Sequence, residues 1–248
     1  MTRRSQGRRR LIFLHGYTTA WPKAPVWTRL LAEVGLGDVE VDAPAAPRGV
    51  ARRDAFNPRG LPSWFRYSTD HSAEVPQRFD APDAGDLDSL LSGPGSLYDS
   101  LRSAARDCGG AHRLALVGES QGGVVAAALA MRWNLEHPGD QLGAVGLLRT
   151  APDPSTWSGG APARFDTRFQ VLLGALDATF RPTFSIHALE PLLRCNPSAS
   201  TEVPSPYRQH DGNVRLEVLP GVEHGTANRA VYRRYVQLLA QDWPPVGG

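Results

Sequence analysis

Cysteine is scarce in this 248-residue chain, which holds only Cys108 and Cys195. The two lie far apart, with no C-x-x-C pattern and no histidine at metal-ligand spacing. That excludes a disulfide framework and a zinc site as organising devices and leaves two reduced, buried thiols as the expectation. Long apolar runs are missing too: none approaches the roughly 20 residues that a membrane-spanning helix needs. Lysine is nearly absent, Lys23 standing against 26 arginines, a skew we attribute to coding bias rather than to phosphate recognition. There is no internal repeat and no low-complexity tract. The 25 Gly and 21 Pro together stay below the disordered range of roughly 25 to 30%.

Positive charge is lacking where a nucleic-acid partner would need it. The formal net charge is +2, yet the first ten residues, MTRRSQGRRR, hold five arginines, so residues 11–248 net −3. A binder of nucleic acid shows its positive stripe on the folded surface. Residues 1–10 therefore read as a solvated basic tail, and no nucleic-acid partner is expected. Only Leu11 to Leu14 follow the tail as an apolar run, well short of a secretory h-region of roughly 7 to 15 residues. The chain reads as cytoplasmic.

What is present is a hydrophobic share of 41% and a mean hydropathy of −0.31, those of a soluble globular protein. The length suits one large α/β domain, taken as residues 11–243. β-rich runs occur at LIFLHG near 11, DVEVDAP near 38, RLALVGES near 113, AVGLLRTAP near 144, RFQVLLGALD near 168 and VRLEVLPGVEH from 214. They are apolar nearly throughout instead of alternating, the mark of strands buried on both faces of a parallel sheet. Helical segments lie between them: VWTRLLAEV, SLYDSLRSAARDC, the stretch after Ser120 and RAVYRRYVQLLAQDW. This alternation predicts a mostly parallel central sheet with helices on both faces. Residues 47–95 and 180–213 break the rhythm, being rich in Pro, Gly and polar residues apart from a helix-like FSIHALEPLLR. They read as lid-like loops over a site.

The chemistry gathers at LALVGESQGG, residues 114–123. A G-x-S-x-G string occurs by chance, but here it follows a buried-strand run and opens a helix of small residues, the setting of a nucleophile elbow. A serine hydroxyl needs a base, and the base needs an acid to fix its tautomer. In the order serine, acid, histidine, QVLLGALD places Asp177 after one strand and LEVLPGVEH places His224 after the next. Both fall at the carboxyl edge of the sheet, as Ser120 does. Asp153, Asp166 and Asp211 are the competing acids, Asp153 the most serious because it also follows a strand. Of the other histidines, His112, His137 and His210 sit in polar turns, His71 in the first long loop, His187 on a helix and His15 in a loop it would shape by hydrogen bonding. An acyl-transfer site must also hold an oxyanion with backbone N–H groups. Gln121, after the nucleophile, and Tyr17, in the HGYTTAW loop, are the expected donors.

With HGY at 15–17, LPSWF at 61–65, GESQGG at 118–123, GALD at 174–177 and VEHG at 222–225, the chain resembles the phospholipase/carboxylesterase family of α/β-hydrolases, which includes the acyl-protein thioesterases. The resemblance spans roughly residues 10–240. It implies Ser120, Asp177 and His224 as catalytic residues, Tyr17 and Gln121 as oxyanion donors, Trp64 beside the acyl site, and no metal or cofactor. An apolar acyl chain would be accommodated by Trp64, Phe65, Trp157 and Phe180. HGYTTAW lacks the Gly-Asp usual in this loop, and ATFRP stands where the family tends to have Val-Pro. These departures line the pocket, so the expected small-molecule or acylated substrate stays open, and so does the choice between monomer and weak homodimer. A dienelactone-hydrolase-like enzyme, a polyketide-releasing thioesterase and a non-catalytic hydrolase-fold receptor are the alternatives.

Overall fold

Strands whose every residue is apolar need cover on both faces, and the fold supplies it. The structure, a computed structural model, describes residues 8–17, 24–47, 60–66, 83–153, 156, 167–193, 206–211, 213–226 and 228–243. In chain order these form β1 (Arg10–Leu14), α1 (Ala24–Glu33), β2 (Glu40–Asp42), α2 (Ala84–Leu91), α3 (Leu97–Cys108), β3 (Leu114–Glu119), α4 (Gln121–Glu136), β4 (Ala144–Leu148), β5 (Phe169–Gly174), α5 (Pro182–Ala188), β6 (Tyr207–Asp211), β7 (Val214–Leu219) and α6 (Asn228–Asp242). The strands make one sheet in the order β2-β1-β3-β4-β5-β7-β6. Neighbours run parallel except β6 and β7, which are antiparallel.

Alternate residues of each strand feed two cores. Ile12, Leu14, Leu116, Val145, Leu147 and Val171 face the side where α3 and α4 lie. Leu11, Phe13, Ala115, Val117, Leu148 and Leu172 face α1 and α6. β3, β4 and β5 are buried along their whole length, as their nearly unbroken apolar runs predict. α4 is buried almost all round, its small VVAAALA stretch wholly enclosed and Trp133 buried near its far end. Among the described residues, no helix is long and apolar enough to cross a membrane.

Three differences from the sequence reading have physical reasons. Arg9 and Arg10, placed in the tail, belong to the folded body. Arg9 is buried, pairs with Asp38 at 2.7 Å and donates to the Trp243 carbonyl, while Arg10 opens β1 and pairs with Glu40. Arginine can do this because its long stem packs while its fork finds fixed acceptors. α2 lies inside the first presumed loop. Its Gly and Asp residues masked a helix that Asp83 caps by accepting from the Asp86 N–H and that buries Leu87 and Leu90. β6, YRQHD, carries an edge strand's polar composition, and only its final Asp followed by Gly in the sequence signals the turn into β7. Cys108 is buried and free, whereas Cys195 lies outside the described residues.

Candidate active site

The carboxyl ends of the parallel strands bring three distant side chains together. Ser120 follows β3 directly, Asp177 lies three residues beyond β5, and His224 lies five beyond β7. Ser120 Oγ is 3.0 Å from His224 Nε2, and His224 Nδ1 is 2.9 Å from Asp177 Oδ2. The acid is held on its other oxygen as well: Asp177 Oδ1 accepts from the Thr179 and Phe180 amides at 2.9 and 2.7 Å. Its side chain is fully buried and that of His224 is 26% exposed, so the chain of hydrogen bonds runs from the interior to an accessible imidazole edge.

Ser120 has φ 53° and ψ −121°, a backbone conformation that L residues avoid. Strain of this kind costs roughly 1–3 kcal/mol and persists only where the surroundings enforce it. The enforcement is largely steric. A Cβ on Gly118 would lie 2.2 Å from the Gly122 carbonyl oxygen, and one on Gly122 would lie 2.2 Å from the Leu14 carbonyl oxygen. Neither position admits a side chain. Ser120 N–H donates to the Leu148 carbonyl, and Thr150 Oγ1 donates to the Ser120 carbonyl at 2.7 Å, which tie the corner to β4. Ser120 heads α4 without capping it through its side chain, which leaves Oγ to His224.

The turn after β1 runs beside Ser120: a Cβ placed on Gly16 would sit 3.2 Å from Ser120 Cβ. Tyr17 follows in that turn, and Gln121 opens α4, where the first amides have no intrahelical acceptor and the helix dipole is positive. Gln121 also does something the sequence reading missed. Its buried side chain accepts from Trp64 N–H at 2.9 Å and donates to the Phe65 carbonyl at 2.8 Å, fastening segment 60–66 to the elbow. Trp64 Nε1 donates to the His15 carbonyl, and its ring lies against the His15 ring. His15 has both ring nitrogens engaged, Nδ1 with the Gly16 carbonyl and Nε2 with the Ala46 N–H.

Trp64 and Phe65 are buried in the core beneath the β1 turn, while Phe180 is buried with its ring 5.4 Å from that of His224. Trp157, His71 and Asp166 lie outside the described residues. Asp153 is buried in the loop after β4, and Asp211 ends β6; it is Asp177 whose carboxylate meets the imidazole. His112, His187 and His210 are exposed, and His137 stacks on Trp133. Among the described residues there is no group of three or more His, Cys, Asp or Glu that could hold a metal ion.

A further cluster, unforeseen from sequence, lies directly behind the serine. Glu119 and Arg149 form a buried ion pair, and Tyr232 of α6 donates to the second oxygen of Glu119. Burial, the adjacent Glu119 charge and this hydrogen bond all push the Tyr232 phenol far up, so it stays a donor.

No protein-family model and no curated protein matches the sequence. Solved structures do. The Arabidopsis thaliana protein SOBER1 superposes with a TM-score of 0.65 at 15% identity, covering 95% of this chain and 99% of that one. Acyl-protein thioesterase 2 of Zea mays gives 0.64 at 15%, covering 96% and 95%. Esterase PE8 gives 0.63 at 18%, covering 96% and 94%. At these identities the likeness is one of fold, and the chain has the α/β-hydrolase fold that these proteins share.

Proposed function

We propose that the protein is a serine hydrolase that cleaves carboxylic esters or thioesters through an acyl-enzyme intermediate. The observation that carries this reading is the unbroken path Ser120 Oγ, His224 Nε2, His224 Nδ1, Asp177 Oδ2, with links of 3.0 and 2.9 Å. His224 takes the Ser120 proton as Oγ adds to the carbonyl carbon of the substrate. Asp177 accepts from Nδ1–H, fixes the tautomer and stabilises the imidazolium. The oxyanion is received by the Tyr17 and Gln121 amides, each worth roughly 3–4 kcal/mol in the transition state. His224 returns the proton to the leaving alcohol or thiol. It then deprotonates a water molecule, whose attack on the acyl-enzyme releases the acid and restores Ser120. No step calls for a metal or a cofactor.

Phe180 flanks the base, and Trp64 with Phe65 backs the oxyanion turn. These rings are buried, so it is the exposed Leu176, next to Asp177, that offers apolar surface beside the triad, in keeping with an apolar acyl group. The fold's neighbours include an esterase and an acyl-protein thioesterase, which agrees with this substrate class. The test is covalent labelling of Ser120 by a fluorophosphonate together with a burst of p-nitrophenol from a short-chain ester. Folded protein that gives neither label nor burst overturns the reading. An acyl-chain-length series on esters and thioesters then defines the substrate.

A further inference from the structure

Among the described residues, two that are not glycine have positive φ, and they end neighbouring strands: Ser120 after β3 and Arg149, at φ 48°, after β4. The strain at Ser120 serves the nucleophile. That at Arg149 turns a long cationic side chain into the protein, where it is 1% exposed. Its guanidinium meets four groups from three parts of the chain. Nη1 donates to the Thr226 carbonyl at 2.6 Å and to the Glu223 carbonyl at 3.3 Å. Nη2 donates to Glu119 and to the Asn228 side chain at the start of α6.

These acceptors bracket His224, with Glu223 directly before it, Thr226 two residues after and Asn228 four after. Glu119 directly precedes Ser120. We infer that Arg149 is a positioning residue that sets the placement of His224 relative to Ser120, by joining both carbonyls of the histidine turn to the carboxylate beside the nucleophile. This rests on the hydrolase reading above.

Residues 223–226 form no regular structure, and Glu223, Gly225 and Thr226 are exposed, so water could take the place of any internal acceptor. A turn held only by such bonds opens readily. The Arg149 fork supplies a buried, charge-assisted anchor instead, and its planar donors suit several fixed acceptors at once. Tyr232 satisfies the other oxygen of Glu119, so the carboxylate cannot turn away. Removing Arg149 alone would strand Glu119 in the interior and confuse placement with folding.

The experiment therefore uses two variants of the full chain: Arg149→Lys, and the charge-balanced pair Glu119→Gln with Arg149→Met. Lysine keeps the charge without the fork. The double variant removes both charges, and the two loop carbonyls it frees can turn to water. With a short-chain p-nitrophenyl ester, the double variant is expected to lose about 10- to 100-fold in kcat, the scale of small misplacements of a catalytic group. KM should move by less than about threefold, and Arg149→Lys should recover part of the loss.

A second readout does not depend on turnover: the far-downfield proton resonance of the His224–Asp177 hydrogen bond at low pH, identified by its loss in His224→Gln. It is expected in the wild type and broadened or lost in the folded double variant. Should the double variant not fold, the same two readouts in Arg149→Lys decide. A folded variant with kcat within about twofold of wild type and an unaltered resonance overturns the assignment. Wild type without label or turnover defeats the hydrolase reading, and the resonance alone then decides whether Arg149 places His224.

Discussion

The corners after β3 and β4 sit side by side and are both strained, yet they are held by opposite means. The Ser120 corner is held by what is missing: Gly118 and Gly122 let backbone segments approach so closely that a single added carbon would lie 2.2 Å from a carbonyl oxygen. The Arg149 corner is held by what is present, a guanidinium that spans the end of β3, the histidine turn and the start of α6. One corner is broken by adding atoms and the other by removing them. Steric enforcement is local in the chain, whereas enforcement by hydrogen bonds collects residues from everywhere.

The sharpest way to separate chemistry from architecture at the first corner is Ser120→Ala. It removes Oγ and leaves the glycines, so the unfolding free energy should stay within about 1 kcal/mol of wild type. Ester turnover should fall by about 10⁴- to 10⁶-fold. Steady-state hydrolysis beside chemical denaturation checks both, and substantial remaining activity would mean that another group is the nucleophile. Asp177→Asn comes next. The amide can offer N–H₂ to Nδ1 and select the wrong tautomer, for an expected loss of about 10⁴-fold in kcat with little change in KM. An effect below about tenfold would show that Asp177 holds its own turn, through Thr179 and Phe180, without serving the base.

Adding atoms gives a smaller free-energy effect but tests the comparison directly. Gly122→Ala places a methyl against the Leu14 and His15 carbonyls, which belong to the end of β1 and the turn that follows it. The turn has to shift, and overpacking of this kind costs about 1–3 kcal/mol. Denaturation midpoint and kcat should decline together, because the displaced segment carries Tyr17. A variant with wild-type stability and turnover would mean that the β1 turn yields freely and that the elbow is not sterically enforced.

This contrast also explains what was readable from the residues. GESQGG could be read because the elbow writes its steric demands within six consecutive positions. Asp177 and His224 were readable because each follows an apolar strand run in the expected order, and the two meet. The Glu119–Arg149 pair was not, since Arg149 is one of 26 arginines and its acceptors lie up to 79 residues away. Nor was the side-chain role of Gln121, whose partners Trp64 and Phe65 are 57 and 56 residues distant. The inner strands were legible from nearly unbroken apolar runs, but two elements were not: β6 is a polar edge strand that depends on its neighbour β7, and the Gly and Asp residues of α2 hid the helix that buries Leu87 and Leu90.

A second acid–arginine pair under α6 provides the control that sharpens the comparison furthest, with the smallest effect. Glu217 on β7 accepts from Arg234 at both oxygens, at 2.7 and 2.6 Å, whereas Arg149 reaches the Glu223 and Thr226 carbonyls of the histidine turn. Burial alone would raise the Glu217 carboxyl above its ordinary value. The Arg234 hydrogen bonds and charge outweigh burial and leave it lowered. A carboxyl lower in the folded than in the unfolded state contributes stability that is fully present above the unfolded value, about 4.3 for glutamate. That contribution fades as the pH falls through the folded value. Glu217→Gln should therefore cost about 1–2 kcal/mol at pH 7, and the gap between variant and wild-type urea midpoints should close on acidification below pH about 4. Ester turnover at pH 7 should not change. If Glu217→Gln lowered kcat as the Glu119–Arg149 variants are expected to, loosening α6 in general would account for the loss. If turnover is unaffected while stability follows this pH course, the effect at Arg149 belongs to the histidine turn that it alone holds among the two arginines compared.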